Sequence, residues 1–239
     1  TLPAPNPKLI EMIEKGPMNP SKALPVERRN DLFDPGYHEV ETGYCVMPNG
    51  TAYVAVNNTF PGCTIEMFEW FYAWKPLEDL RYKIWCPGDH VGIHVRDEDI
   101  VKIKDPNIPI REKTKDVVHF CLEDIGGGME EIVINYQRPE NMGYDLDKLK
   151  KSPVKFMVCG YGTKSIMTHT MREIENGIEY RSRFWMGYTI KDGKPVNKIP
   201  DGVTIPMQAP KGLAYHNVVE YTNLAQILPD LYREFGGTF

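Results

Sequence analysis

The sequence predicts an α+β domain in which a curved antiparallel sheet wraps a C-terminal helix. Three observations carry this expectation: a series of strand-like runs, Gly-bearing turns that join them, and an amphipathic helical pattern near the C-terminus. No alternating βαβ pattern, internal repeat or long linker interrupts the series. The 239 residues suffice for one large domain with a core and an internal cavity.

Taken in order, residues 1–37 are rich in Pro and charge around one short helical candidate, residues 8–15, introduced by Pro7 and stopped by Gly16. This segment reads as an arm rather than a core. Residues 44–56 read as two strands about Pro48-Asn49-Gly50, where Asn-Gly supplies the positive φ angles of a tight hairpin. Thr64 can cap a helix through Trp74, whose Ile65, Phe68, Trp70, Phe71 and Trp74 call for deep packing. Strands are expected at residues 82–85, 117–125, 130–137, 154–160, 164–174 and 178–188. A helix over 224–235 follows, capped by Asn223, with Leu224, Ile227, Leu228 and Leu231 on one side.

The charges, 28 Lys plus Arg against 33 Asp plus Glu, give a balance of −5, which argues against a protein that coats nucleic acid or an anionic membrane. No apolar run approaches the length of a membrane span. The five cysteines are scattered and contain no C-x-x-C pair, so neither a disulfide framework nor a zinc ribbon is suggested, and a cytoplasmic location is the natural expectation.

Strand parity sorts the polar residues. If Asn176-Gly177 is a two-residue turn, Glu175 pairs with Ile178 and His169 stands opposite Phe184. One face then carries Ser165, Met167, His169, Met171, Phe184, Met186 and Tyr188, and the other Arg172, Arg181, Arg183 and several threonines. The first set is the interior one. His169 is therefore a lone imidazole among Met and aromatic side chains, either hydrogen-bonded in a core or functional. On the strand before Gly126-Gly127-Gly128, Val117, His119, Cys121 and Glu123 share one side and Val118, Phe120, Leu122 and Asp124 the other, and hydrophobicity does not say which is buried. The glycine triplet lacks the Lys and Ser/Thr of a P-loop and reads as a hairpin turn.

Two histidine arrangements have metal-ligand spacing. His90 and His94 lie four apart in a β-rich run, where an even offset keeps both on one face; His216 and Glu220 lie four apart just before the C-terminal helix, aligned if that helix starts early. Neither pair alone selects a ligand set.

Around Leu80-Arg81-Tyr82-Lys83-Ile84-Trp85, following Phe68-Glu69-Trp70-Phe71-Tyr72-Ala73-Trp74, the sequence resembles the family of diacetylphloroglucinol and phloretin hydrolases. The resemblance continues through Pro87-Gly88-Asp89-His90, Glu123-Asp124-Ile125-Gly126-Gly127, Arg181-Ser182-Arg183-Phe184-Trp185-Met186-Gly187 and His216-Asn217-Val218-Val219-Glu220. It implies a zinc hydrolase that cuts the carbon–carbon bond between an acyl group and a phloroglucinol ring. The implied fold is a helix-grip, Bet v 1-like (START-like) domain over residues 61–239, preceded by an arm and hairpin, residues 1–60, that helps form a homodimer. Carried over by position, the zinc ligands are His90, Glu123, His216 and Glu220. Tyr82 matches a substrate-contacting tyrosine and His169 a pocket histidine, and Met186 on the Met-rich face is expected beside them. A second pocket tyrosine falls at Phe184 and a pocket asparagine at Ile93. Both departures remove polar groups that could orient the ketone.

The implied reaction protonates the ring at the acyl-bearing carbon, hydrates the ketone with the help of zinc, and expels the ring as an enolate. His169 is the expected proton carrier, on the ground that its pKa can lie near neutrality; Tyr82 would hold an oxygen, and Glu220 or Glu123 would share proton transfer. A helix-grip carrier that holds an aromatic ligand without chemistry is the rival reading. A metal-free enzyme using His169 alone is a third.

Overall fold

The structure is a computed structural model and describes residues 2–239. Its centre is one eight-stranded antiparallel sheet. In chain order the strands are β1 (Gly43–Val46), β2 (Ala52–Pro61), β3 (His90–Val95), β4 (Val117–Asp124), β5 (Met129–Gln137), β6 (Val154–Gly162), β7 (Ser165–Ile174) and β8 (Gly177–Met186), arranged β1-β2-β8-β7-β6-β5-β4-β3. Residues 43–61, grouped with the arm in the expected division at residue 60, lie in this sheet, and β2 pairs with β8 along its whole length. The helices are α1 (Pro7–Glu14), α2 (Ile65–Trp74), α3 (Asp79–Lys83), α4 (Asp97–Lys104), α5 (Leu146–Lys151) and α6 (Gln208–Phe235). A small hairpin, β9 (Tyr188–Lys191) with β10 (Lys194–Asn197), stands apart from the main sheet. The fold class is α+β, as expected. None of the described helices is long and apolar enough to cross a membrane.

The inner face of the sheet packs on α6 and on the aromatic α2, through a core that includes Val54, Val56, Phe60, Phe68, Phe71, Val218 and Leu224. The outer face is also covered, which the arm reading did not foresee. Leu24, Val26, Leu32 and Phe33 of the arm are buried against Tyr53, Ala55, Cys159, Ile166 and Trp185, forming a second core. This explains why nearly every residue of β7 and β8 is buried although only one face was expected to be.

The outer-facing arginines are clamped by the same arm. Arg181 Nε donates to Glu41 at 2.9 Å, Arg183 Nη2 lies 2.5 Å from Glu41, and Arg172 donates to the carbonyl oxygens of Leu32, Asp34 and Gly36. Burial alone would raise the Glu41 pKa, but the hydrogen bond from Arg181 and the charges of Arg183 and Arg181 outweigh it and pull the carboxyl from 4.5 down to about 2. A depressed carboxylate stabilises the fold fully above about pH 4.5 and loses that contribution as pH falls towards 2. We therefore expect Glu41→Gln to destabilise the protein by about 3 kcal/mol or more, because it strands two buried guanidinium groups. The acid unfolding midpoint, read from Trp185, whose Nε1 donates to the arm carbonyl of Leu24 at 2.7 Å, should be less steep in that variant. An unchanged acid transition would remove Glu41 as the acid-sensitive clamp.

Three expected elements differ, each for a local reason. Residues 82–85 were expected as a strand, but α3 is helical there; a helical turn puts Tyr82 and Trp85 on one inward face, with their rings 5.8 Å apart. The C-terminal helix begins at Gln208 rather than near residue 224; Pro210 and Gly212 in its first turns masked the period, and Asn223 is no cap but donates to the carbonyl oxygens of Ile84 and Trp85. The β7–β8 turn is Glu175-Asn176, with Ile174 opposite Gly177, so His169 faces Ser182 and not Phe184. Gly177 is required as a strand residue: its φ is +148°, and a Cβ there would lie 2.1 Å from the Phe60 carbonyl oxygen of β2. The shift is two residues, an even number, so the faces are conserved. Only Tyr188 leaves the expected face, because Gly187, at φ +86°, breaks the strand before it.

Candidate metal centre

Four polar side chains meet near one end of the inner layer. β4 turns Val117, His119, Cys121 and Glu123 inward and leaves Leu122 exposed, which settles the parity left open by the sequence. β3 carries a bulge between His90 and Gly92 against β4. The extra residue breaks the even-offset rule: His90 points in, while His94 is exposed and stacks on Phe120 at 4.6 Å. Because α6 begins early, His216 and Glu220 stand one turn apart on the helix face that meets the sheet, both buried.

The hairpin turn after β4 fixes how closely helix and sheet approach. Gly126 has φ +95°, and a Cβ on it would lie 2.6 Å from Cα of Gly212 in α6. Neither position has room for a side chain. This backbone contact brings Glu123 beside His216.

The donor atoms converge. His90 Nε2 is 3.2 Å from Glu123 Oε2 and 3.6 Å from Glu220 Oε2; His216 Nε2 is 3.6 Å from Glu123 Oε2 and 3.8 Å from Glu220 Oε2. All four residues are at most 7% exposed. Each imidazole is turned by a partner on its other nitrogen. His90 Nδ1 donates to the carbonyl oxygen of Tyr82 at 3.1 Å, and His216 Nδ1 donates to Asp89 Oδ2 at 3.1 Å. Such contacts set the tautomer that aims Nε2 lone pairs at a metal. The His90 ring is further held by parallel stacking on Tyr82 at 3.9 Å. His90 Nε2 is buried without a hydrogen-bond partner, a costly arrangement that a bound cation relieves. Two imidazoles and two carboxylates suit a divalent transition ion, so the residues fit a metal.

A second group of three donors, Cys86, Asp89 and His216, lies as close together as His90, Glu123 and His216 do. It uses His216 Nδ1, whose proton Asp89 accepts, and burial pushes the Cys86 thiol well above its usual range. The Nε2 atoms are therefore the ones better placed to hold an ion.

The four groups perturb one another's protonation. Burial disfavours an ionised Glu123, yet the imidazoles of His216 and His90 beside it hold its carboxyl well below the usual range. Burial, with the Glu123 charge, pushes Glu220 up to about 8. Burial opposes the charge on His216, but Glu220, Asp89 and Glu123 together raise it to about 10, while burial lowers His90. Binding a cation among these groups would therefore displace protons.

A family model described as the DAPG hydrolase PhiG domain matches residues 24–233 of the chain. The chain belongs to this DAPG hydrolase family. It is 39% identical over 238 residues to a phloretin hydrolase from Eubacterium ramulus, covering 96% of this chain and 85% of that protein. It is 28% identical over 249 residues to a 2,4-diacetylphloroglucinol hydrolase from Pseudomonas protegens, covering 95% and 80%. A solved structure from Chromobacterium violaceum aligns with 74% of the chain at 12% identity and a TM-score of 0.39.

In this DAPG hydrolase family member three of the four donors border a narrow cavity of about 90 Å³. Tyr82, His169, Phe184 and Met186 line it, as do Glu123, His216 and Glu220. His90 lies behind Tyr82, and Ile93 is buried in the core without lining the cavity. The cavity runs toward Ile125, Lys164 and Met186, which also line an adjoining surface groove.

His169 Nδ1 is 2.8 Å from Ser182 Oγ, which Asn217 also contacts. The expected near-neutral pKa is not found: burial, with the Lys75 charge, pushes this imidazole down to about 3, so it rests neutral. Tyr82 is likewise a neutral phenol, held so chiefly by burial.

Several cavity residues were missed by the sequence reading. Tyr221 lines the cavity, and its hydroxyl lies 2.7 Å from that of Tyr180, which also meets Tyr72. Its only sequence signal was its position next to Glu220. Lys75 was missed too, although a lysine directly after Phe71-Tyr72-Ala73-Trp74 is a charge inside an apolar run.

Proposed function

We propose that this chain is a zinc-dependent hydrolase that cleaves the bond between an acyl carbon and a phloroglucinol-type ring, releasing a carboxylic acid and a phloroglucinol. The observation that carries this reading is the convergence of four buried donors beside a cavity that three of them line, in a chain 39% identical to a phloretin hydrolase. The α+β sheet with its long C-terminal helix is consistent with a helix-grip domain. His90, Glu123, His216 and Glu220 would hold the ion. Bound there, zinc would supply Lewis acidity toward an acyl carbonyl or a water molecule.

The remaining roles fall to the cavity side chains. His169, neutral at rest, takes the proton of a ring hydroxyl and returns it to the acyl-bearing ring carbon, giving the keto tautomer that can leave. A strongly depressed imidazole holds that proton only while the phenolate it has just produced lies beside it, since the paired charge restores its basicity. Tyr82 donates its phenolic hydrogen to a substrate oxygen. Water adds to the acyl carbon, and the ring departs with the electron pair of the broken bond. Phe184 and Met186 supply apolar contact to the ring or acyl chain in place of oriented polar groups.

Metal-loaded protein incubated with phloretin and with mono- and diacetylphloroglucinol is expected to release phloroglucinol-type products, separated and quantified by chromatography. Failure of all three ketones under conditions where the metal is bound would reject the substrate class.

A further inference from the structure

Lys75 ends the aromatic helix α2 and turns into the cavity, where it is 2% exposed. Its ammonium group lies 4.2 Å from the ring centre of Trp85 and 4.7 Å from that of Tyr72, with Phe71 at 5.8 Å and Tyr82 at 6.0 Å. It makes no hydrogen bond or ion pair with any described residue. Aromatic faces recover only part of what it costs to remove an ammonium ion from water. Burial accordingly lowers its pKa to about 8, which leaves it largely charged at neutral pH. The carboxylates nearest in effect, Glu220 and Glu123, are those that would hold the metal. A cation is thus kept in an apolar cage, facing a ligand cavity, with no anion of the protein assigned to it.

We propose that Lys75 is an anion-binding catalytic residue, and that its partner is the ionised oxygen of a phenol ring lying in the cavity. The proposal rests on the function given above and adds to it the form in which the ring leaves. When the bond between ring carbon and acyl carbon breaks, its electron pair passes into the ring and the charge settles on a ring oxygen as a phenolate. Lys75 faces that charge in a medium of low dielectric, where an oriented donor is most effective. Water gives its hydroxyl to the acyl carbon, and its remaining proton discharges the phenolate. The aromatic cage serves the same end, since it orients the ammonium without neutralising it.

The test uses 4-nitrophenol, whose anion is coloured and whose neutral form is not, with metal-loaded wild-type, Lys75→Met and Lys75→Arg proteins. Wild type is expected to bind it as the anion at a pH where the free phenol is mostly neutral. Lys75→Met, an apolar side chain of similar length that suits the cage, should retain metal content and melting temperature but lose about tenfold or more of the preference for the anion. Its kcat on a cleavable ketone should fall about 100-fold, the scale of a lost oxyanion donor. Lys75→Arg should keep the anion preference, because the charge remains. If Lys75→Met binds the coloured anion as strongly as wild type, Lys75 is not the phenolate site, whatever the activity shows. If the wild type binds the anion through Lys75 yet cleaves none of the ketones, the hydrolase reading fails and the anion site stands.

Discussion

His216→Ala is expected to purify without its metal and without measurable cleavage of aryl ketones. The substitution removes one of four donors and, with it, the helix-borne nitrogen that Asp89 aims at the cluster. Loss of an outer partner of a ligand costs about 10- to 100-fold in metal affinity, so loss of the ligand itself should exceed the upper end of that range. Elemental analysis of wild type and variant reads the result directly. Calorimetric titration with zinc after chelation gives the affinity. The outcome also separates the hydrolase from a carrier that only holds an apolar aromatic ligand. A carrier would bind a phenolic ketone equally well with and without metal, and stoichiometric metal in His216→Ala would show that α6 contributes no ligand.

His169→Ala is expected to give the opposite pattern: full metal content, and turnover reduced by about 100- to 10,000-fold, the span usual for a positioned proton carrier. The side chain touches Ser182 and the cavity but none of the four donors, so the cluster should be indifferent to its loss. The pH profile adds a second check. The resting imidazole is pushed down to about 3, so kcat/KM should show no ionisation of His169 between pH 5 and 8 in the free enzyme. A limb near pH 6.5 in wild type that vanishes in His169→Ala would mean that the ring is far less depressed than its burial implies. Equal turnover in both proteins would return His169 to a packing role.

The legible parts of the molecule were those in which local pattern and tertiary demand agree. β7 and β8 alternate cleanly, so parity placed His169 and Met186 on the inner face even though the turn was displaced by two residues. Where tertiary contacts override local pattern, the sequence misled. Tyr82 and Trp85 look like strand residues, yet their pairing on one inward face requires a helical turn. Pro210 and Gly212 hide the early start of α6, so the sequence aligns His216 with Glu220 only if the helix begins before them. The β3 bulge is a one-residue event with no compositional mark, and it decides between His90 and His94. The outer layer was invisible for another reason: Leu24, Val26, Leu32 and Phe33 are spaced by Pro and charge, and the arginines of β8 read as the face opposite the interior.

The contact of Gly126 with Gly212 has a mechanical consequence. Two backbones that touch at their α-carbons leave no side chains between them to rearrange. The spacing of Glu123 from His216 is therefore governed by stiff main chain rather than by rotamer choice, and α6 has little freedom to slide or lift at that point. A substrate entering the cavity cannot do so by parting helix from sheet there. The surface groove that adjoins the cavity at Lys164 and Met186 also carries Ile125 and Gly127, on either side of this contact, so the mouth opens beside a fixed point. One rim of the mouth is thus set by the same stiff main chain that sets the donors.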